Sequence, residues 1–313
     1  MNRNTLTPGQ ILPLVHVVFA DADVVSSRLF PGQHASLNYD LQLAHPEVNV
    51  VLKVYLDSSE RKPWKEAYLL RLLTSETGVP APGLLHFDDS TATIPHPWAL
   101  HTRLPGQPLA ESLDALQEWE LESLGYEIGR YLGRIHQIPL DVFGEFYAPE
   151  LRRYGSEREY VASQVHPWLD RCAQEALLPT ETVEMLGQLF ANTDLLNRHQ
   201  ARLIHGAYDE HHVVVERGAT GYHVTGILDL KHAIGGSPEL DMTRFLGCHF
   251  EGKAAFHKEF LDGYAESGKL EADFWDQLRL YKLFTCVRCL SSTPQRDRLG
   301  LEACRRSIRQ HLR

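Results

Sequence analysis

The chain is poor in the residues that would mark several classes of protein. It has five cysteines in 313 residues. They are odd in number and follow no disulfide or metal-finger spacing, which points to a reducing, cytoplasmic setting. Cys286 and Cys289 form a lone CxxC inside "LRLYKLFTCVRCL". That segment reads as a helix with a buried stripe, so core thiols are expected there rather than a redox or metal motif. No apolar run approaches the ~20 residues of a membrane span. The apolar N-terminal stretch "ILPLVHVVFADA" is interrupted by Pro13 and His16 and preceded by one arginine, Arg3. It reads as a structural segment rather than a secretion signal. Basic residues are also in deficit, 31 Lys and Arg against 41 Asp and Glu, for a formal charge of −10. Such a balance argues against nucleic acid or an anionic membrane as partner. No internal repeat or low-complexity linker is present. HExxH and GxSxG are also missing, so the histidines at 205, 211, 212, 223 and 232 have no metallohydrolase or serine-hydrolase frame.

The first third is β-rich. "SLNYDLQL" alternates, with Leu37, Tyr39, Leu41 and Leu43 on one face. After the "AHPE" turn, "VNVVLKVYL" alternates again, with Val48, Val50, Leu52, Val54 and Leu56 on one side and Lys53 on the other. The pair predicts an antiparallel hairpin. A helix is expected from Pro63, with Glu66, Leu69, Leu70 and Leu73 at i, i+3, i+4, i+7. Lys62 and Lys65 are expected in solvent. "ETGVPAPG" ends that helix, and "GLLHFDD" and "PWALHTRL" read as strands. "PGQP" is read as a break, giving an N-terminal lobe at 1–104 and a C-terminal lobe at 105–313. The second lobe is mostly helical, opening with the stripe Leu121, Leu124, Ile128, Leu132, Ile135. One β island, "ARLIHGAYDEHHVVVERGATGYHVTGILDL", interrupts it. The fold class is therefore α+β, in two lobes with a cleft between them.

"LIHGAYDEHHVVV" followed by "GILDLKHAIGGSPELDM" resembles the signature of the aminoglycoside phosphotransferases, small-molecule kinases with a protein-kinase-like fold. "VVLKVYL", "KEAYLLRLL", "VPAPGLL", "HTRLPGQPL" and "LGRIHQI" are similar to that family's earlier segments, in order. The resemblance covers roughly residues 25–265. It implies γ-phosphoryl transfer from ATP or GTP, with Mg²⁺, to a hydroxyl of a small molecule.

The resemblance also implies roles. Lys53, held by Glu66, would meet the nucleotide's phosphates. Gly32, Ser36 and Asn38 fall in the phosphate loop, and backbone groups of His101 and Arg103 fall at the base. Asp229 ends an apolar strand and would bind the metal, since magnesium takes oxygen ligands. His212 replaces the family's usual asparagine at a second metal position, as in macrolide phosphotransferases. His205 and Asp241 would support the catalytic loop. The family's catalytic aspartate is missing: Ala207 stands in its place. A methyl group neither orients a hydroxyl nor accepts its proton. Asp209, two residues on, is the nearest substitute. An inactivating change in a working kinase and a natural pseudokinase that binds nucleotide or metabolite both fit this single gap.

Overall fold

The computed structural model describes residues 5–31, 35–148, 152–247, 250–292 and 298–312. The elements begin with helix α1 (Pro8–His16), strands β1 (Asp23–Leu29), β2 (Ser36–Ala44) and β3 (Val48–Tyr55), helix α2 (Lys62–Glu76), and strands β4 (Leu84–Asp88), β5 (Trp98–Thr102) and β6 (Gln107–Pro108). Helix α3 (Glu118–Ile135), strands β7 (Pro139–Leu140), β8 (Phe143–Gly144) and β9 (Arg153–Tyr154), and helices α4 (Glu157–Gln174) and α5 (Thr180–Asn192) follow. Strands β10 (Ala201–Ile204), β11 (Val213–Gly218), β12 (Gly221–Ile227) and β13 (Ile234–Gly236) form the island. Helices α6 (Glu239–Phe245), α7 (Ala254–Ala265), α8 (Phe274–Ser292) and α9 (Arg298–His311) complete the chain. Among the described residues no helix is long and apolar enough to cross a membrane.

The chain forms two compact units, residues 1–120 with 210–232, and residues 121–209 with 233–313. The first holds an antiparallel sheet in the order β1-β2-β3-β5-β4. The alternation in β2 and β3 sets its register, Asn38 opposite Lys53 and Leu41 opposite Val50. One face buries Leu37, Tyr39, Leu41, Val50, Leu52 and Val54. Helix α1 covers that face with Ile11, Leu14 and Val15, so the apolar N-terminal stretch is a core element here. Helix α2 carries Pro63 in its first turn and buries Glu66, Leu69, Leu70 and Leu73. Lys65 is not solvated as expected: it is 2% exposed. Helical spacing sets it four and eight residues before Leu69 and Leu73, on the same buried stripe.

The "PGQP" segment is not a plain break. Gln107 and Pro108 form β6, the edge of a second sheet β12-β11-β6, with Val214 opposite Pro108. Gly106 makes this approach possible. Its φ is +87°, and a Cβ there would lie 2.1 Å from the Val215 carbonyl oxygen.

The second unit buries a core of Val161, Val165, Leu169, Leu186, Phe190, Leu280, Phe284 and Val287 from α4, α5 and α8. Helix α3 packs its Leu124, Ile128, Leu132 and Ile135 inward, all fully buried. Close to α7 it presents Gly125, Gly129 and Gly133, and a Cβ on Gly129 would stand 1.9 Å from the Phe260 carbonyl oxygen. Strands β7-β10-β13-β8-β9 make a small sheet whose strand β10 leads into residues 205–209.

Candidate active site

In the first unit, four charged side chains and one histidine converge. Strand β3 presents Lys53 on the face away from its apolar neighbours, and α2 presents Glu66 from its buried stripe. The Lys53 ammonium donates to Glu66 Oε1 at 2.8 Å and to Asp229 Oδ1 at 3.2 Å. It also lies 5.2 Å from the centre of the Tyr55 ring. Burial alone would favour neutral Lys53, but the charges and hydrogen bonds of Glu66 and Asp229 outweigh it and raise its pKa.

Asp229 follows β12 with φ +66°, a left-handed conformation costly to a residue with a Cβ. That backbone turn aims its carboxylate at a lysine and an imidazole. Lys231 Nζ reaches Oδ1 at 2.9 Å, and His212 Nε2 lies 3.4 Å from Oδ2. Burial opposes ionisation of Asp229, yet Lys53, His212 and Lys231 hold its carboxyl well below the usual carboxylate range. Lys231 was not among the residues singled out from the sequence. Its signal was a cation two positions after a strand-ending aspartate in "LDLK".

The remaining first-unit candidates surround this cluster unevenly. Asn38 sits across the hairpin from Lys53, and Ser36 is buried opposite Tyr55. Gly32 lies outside the described residues. His101 pairs with Val51 in the sheet, while Ala99 pairs with Lys53. The His101 imidazole is 5% exposed, and neither ring nitrogen has a hydrogen-bond partner among the described residues. Burial, aided by the Lys53 charge, lowers its pKa to about 3, so the ring is neutral. The Arg103 backbone N–H donates to the Asn49 carbonyl at 3.3 Å and is thus already engaged. Its side chain pairs with Asp40 at 3.3 Å and lies over the Phe30 ring.

The second unit holds the other candidates. Asp241, in the first turn of α6, accepts the backbone N–H of His205 at 2.6 Å through Oδ2 and that of Gly206 at 2.8 Å through Oδ1. His136 Nε2 lies 3.2 Å from Oδ2 of the same carboxylate. His205 is fully buried, and its Nδ1 accepts the Ala207 N–H at 3.3 Å. Tyr208 anchors the following residue by donating to the Ile128 carbonyl at 2.8 Å. Ala207 is half-buried between these anchors, and Asp209 is half-buried just after the second. The loop is thus held by a carboxylate that serves backbone groups, while position 207 offers a methyl group.

Among the described residues no group of three or more His, Cys, Asp or Glu is arranged to hold a metal ion. The donor set at Asp229 and His212 fits a magnesium that takes its other ligands from phosphate and water, which is how that ion is usually held. It does not fit a metal caged by protein alone.

Solved structures share this fold. The chain is similar to APH(2")-IIa, solved in a ternary complex with streptomycin and ATP, at 16% identity and a TM-score of 0.66, covering 98% of this chain and 97% of that one. It is similar to a thermostable mutant of the aminoglycoside phosphotransferase APH(4)-Ia, solved with ADP and hygromycin B, at 16% identity and a TM-score of 0.69, covering 96% and 97%. It is likewise similar to an aminoglycoside 2'-phosphotransferase-IIIa mutant in complex with GDP, at 15% identity and a TM-score of 0.70, covering 97% of each chain. The α+β, kinase-like architecture is therefore that of the aminoglycoside phosphotransferases. The profile of the APH phosphotransferase enzyme family matches residues 27–281, and the chain belongs to that family.

Proposed function

We propose that this protein binds ATP or GTP with Mg²⁺ and directs the γ-phosphate to a hydroxyl of a small molecule, with transfer much slowed by Ala207. The observation that carries the reading is the Lys53–Glu66–Asp229 cluster, with contacts of 2.8 and 3.2 Å. In this reading residues 1–104 serve the nucleotide, and residues 105–313 supply the catalytic loop, the metal position and the acceptor site. Lys53 neutralises phosphate oxygens, and Glu66 fixes its direction. Ser36 and Asn38 flank the phosphates, and the segment at His101 and Arg103 meets the base. Asp229, with His212, holds Mg²⁺, which when bound neutralises phosphate charge. Asp241 and His205 fix the loop on which the acceptor hydroxyl is aligned. Asp209 is a poor stand-in for the missing aspartate. Loss of a general base typically slows a reaction ~10²–10⁴-fold.

A second reading has its own observation. Lys53, Glu66, Asp229 and Asp241 are all present while Ala207 leaves no base, as in a pseudokinase that binds nucleotide or metabolite without turning it over. Thermal melts with Mg-ATP and Mg-GTP, run beside a nucleotide-consumption screen over hydroxylated acceptors, separate the two. A rise in Tm is expected from linkage. No rise in a folded sample at millimolar nucleotide overturns the first reading and leaves the second only as a metabolite binder. A rise with turnover only after Ala207→Asp supports the first, and a rise with no turnover in either chain supports the second.

A further inference from the structure

Three of the five cysteines meet where α9 packs on α8 in the second unit. Cys286 and Cys289 stand one turn apart in α8, and Cys304 comes from α9. The Cys304 thiol is in hydrogen-bond contact with both. The expected core thiols are not fully buried: each of the three is partly exposed. Cys172, in α4, is the contrast, with no exposure at all. The CxxC spacing gave no sign of this cluster, because its third thiol arrives from another helix. Leu301 and Ile308 of α9 join Phe284 and Val287 of α8 in one core, which holds the two helices side by side.

One of these thiols borders open space. Cys286 lines a cavity of about 60 Å³ together with Lys282, Thr285, Ser307 and His311, and neither Cys289 nor Cys304 borders it. That volume admits a few water-sized molecules and nothing as large as a peptide or a nucleotide. The three thiols also differ in what surrounds them. The Cys304 thiol donates to the Cys286 sulfur and favours its thiolate, and the Ser307 hydroxyl and the charge of Lys282 act the same way. Together they outweigh burial and the neighbouring Cys289, and the Cys286 pKa is lowered. Cys304 is driven the other way by its hydrogen bonds to Cys286 and Cys289, so it keeps its proton. At Cys172 burial pushes the thiol up to about 11. A thiol poised toward thiolate, reached by small molecules and touching a protonated partner, is the kind that oxidises selectively. No group of three among the described residues is arranged to hold a metal ion, which leaves thiol chemistry for this cluster.

We propose that Cys286 and Cys304 form a reversible oxidation site for hydrogen peroxide, in which Cys286 reacts first and Cys304 closes a disulfide between α8 and α9. The Cys286 sulfur attacks one peroxide oxygen, and the O–O bond breaks. A sulfenic acid is left on Cys286, and the released hydroxide recovers the proton that Cys286 had lost and departs as water. The Cys304 sulfur then displaces the sulfenic hydroxyl, which departs as a second water with the Cys304 proton. Two thiols lose two electrons in all, and one peroxide becomes two waters. A small thiol such as glutathione reverses the bond by exchange. The oxidised form has α9 stapled to α8, beside the core of the second unit.

The test treats the full chain with a small excess of hydrogen peroxide and maps its peptides by mass spectrometry without reduction. A cross-link between Cys286 and Cys304 is expected, and dithiothreitol should reverse it. Cys286 should lose its free thiol at least about tenfold faster than Cys172, since thiolate content falls tenfold per pKa unit and nucleophilicity offsets only part of that. Cys304→Ser should stop the reaction at a sulfenic acid on Cys286, trapped by dimedone. Cys289→Ser should leave the cross-link in place. The proposal is overturned if no disulfide forms, if the disulfide joins any other pair of cysteines, or if dimedone labels another cysteine before Cys286. Should Cys304→Ser fail to fold, the peptide map and the rates of thiol loss in the unaltered chain decide.

Discussion

Lys53 and Asp229 lie 176 residues apart in sequence, yet the ammonium of one stands 3.2 Å from the carboxylate of the other. Glu66 completes the contact from α2 at 2.8 Å, and all three side chains are largely withdrawn from water. Removing one partner of such a buried set leaves the others uncompensated, at a cost of about 3–5 kcal/mol. Lys231 still serves Asp229, so the lower end applies to Lys53→Met, roughly 3 kcal/mol by denaturant unfolding. The same variant should lose the rise in Tm with Mg-nucleotide. A variant that keeps its full nucleotide effect would mean that Lys53 holds the fold together and does not touch phosphate.

His101 gives the protein a specific acid limb. The imidazole is neutral in the fold, with a pKa of about 3 against an ordinary 6.5. The unfolded chain therefore binds the proton more readily. This contribution is complete above pH 6.5 and is lost as pH falls toward 3, with a slope of up to about 1.4 kcal/mol per pH unit. His232, lowered to about 4 chiefly by burial, acts in the same direction. His101→Leu should flatten the limb in urea unfolding between pH 4 and 6.5 and leave the part due to His232. An unchanged slope would show that the imidazole is solvated in solution.

Two helix glycines should respond to alanine in opposite directions. At Gly129 a Cβ would meet the Phe260 carbonyl oxygen at 1.9 Å, and backbone on both helices prevents an easy escape. Gly129→Ala should cost about 1–3 kcal/mol. At Gly187, inside α5, the nearest atom is Leu169 Cδ1 at 3.8 Å. There alanine should stabilise by roughly 0.5–1 kcal/mol, by restricting the unfolded chain and favouring the helix. Melting both variants beside the parent tests the α3–α7 packing directly.

The parts of this molecule legible in its sequence are those where one local period controls burial. Alternation at 37–43 and 48–56 gave the hairpin and placed Lys53 on the opposite face. The i, i+3, i+4 stripe gave α2 and put Glu66 on its buried side. The same reasoning, applied to position 65, would have buried Lys65, since it precedes Leu69 by one turn. Strand β6 escaped because two residues between prolines carry no period. They pair only because Gly106 lets the chain pass against Val215. The contact of Lys231 with Asp229 depends on a backbone turn after β12, and spacing alone does not encode that. The resemblance to a known family located Asp229, Asp241 and Ala207, where composition and periodicity would have shown only a strand end, a helix start and a loop.

Restoring the carboxylate at position 207 is the sharpest test of the proposed function. The loop around it is held independently of that side chain, by Asp241 on the His205 and Gly206 amides and by Tyr208 on Ile128. Ala207→Asp should therefore fold with little change in stability. Once an acceptor is found, phosphotransfer should rise by at least about a hundredfold, the lower end of what a general base contributes. Nucleotide affinity should stay nearly constant, because this carboxylate serves the acceptor hydroxyl rather than the phosphates. Saturating Mg²⁺ is needed for the comparison, since imidazole at His212 is a softer ligand for that ion than oxygen. Asp229→Asn in the restored chain should abolish the gain by weakening the metal position. A chain with Ala207 in place that already turns over at tens per second would transfer the role of base to Asp209 or another group. An aspartate-restored chain that folds, binds nucleotide and phosphorylates none of the acceptors would instead favour a protein that holds nucleotide without using it.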